Sequence, residues 1–267
     1  MIMTNKNRMT LAILFLAGVT TAVAADDDAQ LLEAGTEAVA HLKPLAPGET
    51  FETYFGVFNG PDTELGYVVT TLKASADKKN PTLDYVSETN VMTLDGIRVA
   101  MILRCKFKSD FEPIEVEVKR TVMRQGADDQ WSIQHAVIGP KKVKLDVKSQ
   151  SNQVSIEPDR PEAPFIYGIE TFVQRLDLFK YKIFALREFN IGNGAAGRLN
   201  FVLETWSDGM PTLVVREPEG EVVYQFWFTM KGELIRFGEP THPVIYVKTT
   251  KEHVNKIKKT FGEVKAE

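Results

Sequence analysis

Apolar and polar residues alternate over most of this chain. Ile114, Val116, Val118 and Val122 stand against Glu115, Glu117, Lys119 and Thr121, and Val143, Leu145 and Val147 against Lys142, Lys144, Asp146 and Lys148. A period of two belongs to antiparallel strands with one face in a core and the other in water. Asp95-Gly96 sits between Val91-Met92-Thr93-Leu94 and the strand from Ile97, a two-residue hairpin signal. Asn59-Gly60-Pro61, Gln125-Gly126 and Gly139-Pro140 mark further turns. Residues 51–157 therefore predict a meander of about eight strands.

Pro158, Pro161 and Pro164 interrupt this pattern. Behind them Phe165, Ile169, Phe172, Val173, Leu176 and Phe179 recur at helical spacing and predict an amphipathic helix over about 165–179. Its apolar stripe is expected to lie on the concave face of the sheet. Strands resume at Tyr181 and run to about Val247, with turns at Asp208-Gly209, Glu219-Gly220 and Lys231-Gly232. A short helix, interrupted by Gly35 and ended by Pro44 and Pro47, precedes the first strand. A second follows the last strand, where Thr249 and Glu252 have capping-box spacing and Val254, Ile257, Lys258 and Phe261 share one face. Lys251, Lys256, Lys258, Lys259 and Lys265 of that helix read as a solvated face.

The expected fold is thus mainly β: a long antiparallel meander forming a curved sheet or half-open barrel, with short helices at both ends. The expected organisation is a signal peptide at 1–24, a helix and linker at 25–50, one β-rich domain at 51–248 and a C-terminal helix at 249–267. The prolines at 158–164 mark the one candidate sub-boundary.

The leader is read from Lys6 and Arg8, the apolar run Leu11–Val19 and the small-x-small sequence Ala22-Val23-Ala24. It places the protein in the periplasm or outside the cell, with no transmembrane span in the mature chain. The formal charge of the whole chain is -4, from 32 basic and 36 acidic residues. That balance excludes a dedicated nucleic-acid binder, which carries a basic excess. Loss of Lys6 and Arg8 with the leader makes the mature chain more acidic. The one cysteine, Cys105, shares parity with Val99, Met101, Leu103 and Phe107 and reads as a core residue. An exported fold with a single thiol must hold without an internal disulfide.

No catalytic, metal or cofactor constellation is expected. His41, His135, His242 and His253 are too dispersed for zinc-site spacing. Gly192-x-Gly194-x-x-Gly197 matches the dinucleotide fingerprint in letters only, because Leu199-Asn200-Phe201-Val202-Leu203 reads as a strand where that motif needs a helix. It marks a hairpin instead.

The informative feature is aromatic load on strands. Val222, Tyr224, Phe226, Phe228 and Met230 share one face, with Val223 and Trp227 on the other; Phe51, Phe55 and Val57 oppose Tyr54 and Phe58. Strands apolar on both faces need cover on both. Either the core is filled, or it encloses an apolar cavity. In the second case Tyr224, Phe226 and Phe228, with Phe172 and Leu176, are the expected lining.

Taken with the leader, these strands and the helix against their concave face resemble the periplasmic lipoprotein-carrier superfamily, an incomplete β-barrel lidded by helices whose members carry acyl chains. Tyr54-Phe55-Gly56-Val57-Phe58-Asn59-Gly60 through Leu65-Gly66-Tyr67-Val68 is also similar to the opening strands of related exported β-proteins. The resemblance covers about residues 50–250 and implies an apolar, lipid-like ligand without assigning residues to it. The expected function is a soluble exported binding protein that is not an enzyme, for such a ligand or an envelope component. The alternatives are an envelope scaffold protein with a filled core, and a polymer hydrolase using an acidic pair.

Overall fold

The computed structural model describes residues 25–205 and 209–261. The expected leader, Asp208 and Lys265 lie outside the described residues.

Helix α1 (Ala25–Ala40) leads into eight strands: β1 (Thr50–Asn59), β2 (Thr63–Ala74), β3 (Thr82–Met92), β4 (Arg98–Lys108), β5 (Pro113–Met123), β6 (Gln130–Ile138), β7 (Val143–Ser149) and β8 (Gln153–Ile156). Then come β9 (Phe165–Ile166), α2 (Ile169–Arg175), β10 (Ile183–Asn190), β11 (Ala195–Thr205), β12 (Pro211–Arg216), β13 (Val222–Phe228), β14 (Leu234–Gly238), β15 (Val244–Lys248) and α3 (Lys251–Phe261). All the strands join one 15-stranded sheet in the order β8-β7-β6-β5-β4-β3-β2-β1-β15-β14-β13-β12-β11-β10-β9. The β1–β15 pair, with Val57 opposite Tyr246, closes the two meanders back to back. The sheet stays open at β8 and β9. Every neighbouring pair is antiparallel except β9–β10.

Both meanders send apolar side chains into one core. Phe55, Phe107, Val116 and Leu145 from the first half meet Phe184, Phe201, Leu213 and Phe226 from the second. One core shared by strands so far apart in sheet order requires the sheet to curl into a half-barrel. Inside it, Phe184 and Phe201 stack at 4.6 Å between ring centres, and Phe172 from α2 meets both edge-on. Ion pairs and hydrogen bonds trim the outer faces, as alternation predicts.

The expected helix over 165–179 is shorter than its apolar spacing implies. Phe165 and Ile166 form β9, parallel to β10 at Arg187 and Glu188. Gly168 takes the left-handed conformation at φ 74° and starts α2, and Leu176 is already extended. Phe165-Ile166-Tyr167 is rich in residues that favour strands. The spacing survives because strand, helix and the extended residue after it all face the same core: Phe165, Ile169, Phe172, Val173 and Leu176 are buried, while Phe179 is exposed. On the concave side Thr53 of β1 donates its hydroxyl to Gln174 Oε1 of α2 at 2.9 Å.

Two local expectations are also corrected. Gly35 does not interrupt α1; it lets the helix lie against β10, since a Cβ there would stand 1.9 Å from the Ala185 carbonyl oxygen. The cap of α3 is Thr250, whose Oγ1 accepts from the His253 amide at 3.2 Å. Thr249 instead extends the β1–β15 pairing by donating its amide to Tyr54 O.

Helix α3 covers the convex face. Val254 and Ile257 bury against Tyr67, with Tyr54 and Val69 beside them. Lys258 is drawn into this contact, donating to Glu88 Oε2 at 2.8 Å with its ammonium over the Tyr67 ring. The Gly192–Gly197 run forms the β10–β11 connection and the start of β11, with Gly194 donating its amide to Asn190 O.

Candidate ligand cavity

The half-barrel is not filled throughout. A cavity of about 280 Å³ opens between β2–β4 on one side and β13–β15 on the other. Val68, Met101 and Leu103 make its apolar wall, with the hydroxyl-bearing Ser87 and Thr89 beside them. The facing wall is aromatic: Tyr224 of β13, Phe237 of β14 and Tyr246 of β15. Tyr167, Gly168 and Glu170, from the turn into α2, and Glu188 of β10 complete the lining with Glu239.

The aromatic wall is a continuous stack. Phe237 and Tyr246 are register partners whose rings lie 4.5 Å apart and 3° from parallel. Phe226 stacks on Phe237 from behind at 5.6 Å, Phe55 meets Phe237 edge-on at 5.2 Å, and Tyr224 leans on Phe226. Ring contacts of this kind fix side chains beyond what burial alone provides.

The polar groups divide into satisfied and unsatisfied. Glu170 Oε1 accepts from the fully buried Tyr85 hydroxyl at 2.6 Å. Glu239 lies 2.9 Å from His242. The Glu188 carboxyl makes no hydrogen bond or ion pair among the described residues, and neither do the hydroxyls of Tyr167, Tyr224 and Tyr246. Burial, and then the charge of Glu170, push the Glu188 carboxyl up to about 8. Burial likewise raises Tyr167, Tyr224 and Tyr246, with glutamate charges adding to it. All four residues are half-buried, so their polar groups face a space that a ligand or solvent can reach.

Glu188 also reaches a second opening. Its register partner on β11 is Gly197, which has open space where a Cβ would be. Tyr167 and Glu188 therefore line both the inner cavity and an outer groove of about 580 Å³ bounded by Arg198, Glu217 and Pro218. Arg198 is engaged elsewhere, 2.6 Å from Asp28 of α1.

A further crevice of about 430 Å³ lies where the α1–β1 linker crosses the barrel end. Lys43, Lys78 and Arg175 are its cations, and Arg175 is already committed: it donates to the carbonyls of Lys43 and Pro44 and lies over the Phe51 ring. Cys105 is buried on β4 with its thiol raised, chiefly by burial and then by Glu115, and makes no reactive site. Among the described residues no group of three His, Cys, Asp or Glu side chains is arranged to hold a metal ion.

Of the residues expected from sequence, Tyr224 lines the cavity. Phe226, Phe228, Phe172 and Leu176 are fully buried in the core, Phe226 directly behind the aromatic wall. Glu170, Glu188, Tyr167, Phe237 and Tyr246 were not foreseen. Glu188 carries a readable signal, since it shares parity with the buried Phe184 and Leu186 of its strand. Glu170 and Tyr246 carry none, because nothing local places them beside β3 or β14.

Fold and cavity define an open, curled, mainly antiparallel β-protein of barrel-like form with a largely apolar cavity that carries a few carboxyl and hydroxyl groups. No family model matches the chain, and no curated protein matches it. Among solved structures it is similar to a beta-barrel-like protein of a domain of unknown function, DUF1849, from Brucella abortus, at 7% identity and a TM-score of 0.46, over 77% of this chain and 98% of that one. Among the described residues no helix is long and apolar enough to cross a membrane.

Proposed function

We propose that this protein is a non-enzymatic binding protein, exported to the periplasm or secreted, that holds a small and largely apolar ligand in the half-barrel. The observation that carries the reading is the cavity itself: an apolar wall facing a rigid aromatic one, with unpaired polar groups at one end. Ligand sites are concave and mostly apolar, with a few polar groups that fix orientation. A space of about 280 Å³ suits a compact molecule, and the groove beyond Glu188 gives a longer one room to extend. The resemblance to the periplasmic lipoprotein carriers, whose half-barrel holds acyl chains, favours the same reading.

The test is mass spectrometry of organic extracts from natively purified protein, paired with titration of the neutral fluorescent probe N-phenyl-1-naphthylamine. A co-purifying molecule or saturable probe binding, lost on Tyr224→Trp, supports the reading. A clean extract with no probe binding overturns it and favours the scaffold alternative. Turnover of the bound molecule overturns the non-enzymatic part. Amino-terminal sequencing of protein recovered outside the cytoplasm, starting at Ala25, tests the export.

A further inference from the structure

We infer that the ligand is cationic: an organic amine or quaternary ammonium whose charge sits between Glu188 and Glu170 and whose apolar part lies along the aromatic wall. This rests on the cavity being a ligand site and names the chemical class it takes.

The argument starts from charge. The lining carries three carboxyl groups, Glu170, Glu188 and Glu239, and no lysine, arginine or histidine. Glu239 has His242 outside the cavity as a partner. Glu188 has none; it is half-buried and faces the cavity on one side and the groove on the other. A carboxylate partly withdrawn from water without a partner carries a cost that a cation offsets. A fatty acid would add a further carboxyl group to a space that already holds three, so the acyl-carrier analogy does not extend to the headgroup.

The rings point the same way. The aromatic faces of Tyr224, Phe237 and Tyr246 carry negative quadrupoles, and stacked rings beside carboxylates form the arrangement that attracts alkylammonium groups. This protein already uses that attraction on its surface, where Lys258 lies 5.0 Å and Arg236 4.6 Å from the centres of the Tyr67 and Trp227 rings. A metal cation fits less well, because the described carboxylates are not grouped to coordinate one.

The experiment measures binding of n-hexylamine, hexyltrimethylammonium, hexanol and hexanoate to the full mature chain by displacement of N-phenyl-1-naphthylamine at pH 7. The expected result is that both cations bind about tenfold or more tighter than hexanol, with hexanoate weakest. Glu188→Gln should erase that preference, bringing both cations to within about twofold of hexanol in the same variant. Glu170→Gln, which keeps an oxygen to accept from Tyr85, should reduce the preference too and serves if the first variant does not fold. Equal binding of hexanol and hexylamine, or a preference that survives both substitutions, overturns the cationic assignment and leaves the cavity reading standing. Binding of none of the four overturns both.

Discussion

The Tyr85 hydroxyl donates to Glu170 Oε1 at 2.6 Å, across 85 positions of the chain. It ties α2 and the cavity floor, which belong to the second half of the molecule, to β3 of the first. The cavity thus has a wall from each meander and a polar link between them. Tyr85→Phe should cost about 2 kcal/mol, since it leaves Glu170 without its protein donor in a largely apolar space. Chemical denaturation of the single variants and of Tyr85→Phe with Glu170→Gln closes the cycle. Coupling near zero would show that the bond does not hold α2 in place.

Gly35 and Ala185 set how closely α1 approaches β10. A Cβ at Gly35 would stand 1.9 Å from the Ala185 carbonyl oxygen, which belongs to backbone and cannot swing away. Gly35→Ala gains helix propensity, about 1 kcal/mol in an exposed helix. Here the clash outweighs that gain, and the net effect should be a loss of about 2 kcal/mol or more. Faster proteolysis within residues 25–42, with the sheet still folded, would report that α1 has lifted.

Phe172 separates core from lining. It is fully buried and meets Phe184 and Phe201 at 6.3 and 6.1 Å. Phe172→Ala should destabilise by about 3–5 kcal/mol through the lost contacts and the space left behind. If the variant instead keeps wild-type stability and loses only probe binding, Phe172 is a ligand contact and the cavity extends further into the core.

These three sites differ in how far the sequence discloses them. The alternation of Ile114 to Val122 and of Val143 to Val147 is a local consequence of one-sided burial, so the strands could be read directly. The spacing from Phe165 to Leu176 reported burial faithfully but not conformation, because a strand, a short helix and an extended residue can all face one core. Glu188 was visible as a charge on the inward parity of an apolar strand. The pairing of Tyr85 with Glu170, and of Tyr246 with Phe237, depends on how the sheet curls, which no local pattern encodes.

The Glu188 carboxyl should give stability an unusual pH slope. Its folded value, about 8, lies above the ordinary carboxylate value of 4.5. Between these values the folded state holds a proton that the unfolded state has released, so stability falls as pH rises. The full penalty, on the order of 3 kcal/mol after allowing for the solvent that reaches the group, is present above about pH 8. The carboxyls of Asp28, Glu52, Asp146, Asp159 and Glu252 are shifted downward and act only at more acidic pH. Subtracting the Glu188→Gln denaturation profile from that of wild type between pH 5 and 9 isolates the slope. A flat difference would mean that Glu188 ionises as a surface group does.

The same protonation state makes cation binding a proton-releasing event. At pH 7 the empty cavity holds Glu188 mostly neutral, with Glu170 on α2 and Glu239 after β14 beside it, Arg198, Glu217 and Glu219 along the groove, and the hydroxyls of Tyr167, Tyr224 and Tyr246 protonated around it. A fixed positive charge between Glu188 and Glu170 favours the carboxylate, so the proton leaves as the cation enters. Hexyltrimethylammonium cannot titrate, so any proton released comes from the protein. Calorimetry in phosphate and in Tris, whose ionisation enthalpies differ, should give about one proton released per ligand at pH 7, falling toward none by pH 9. Glu188→Gln should release none at either pH. Tight binding without proton release would place the cation on Glu170 alone and remove Glu188 from the site.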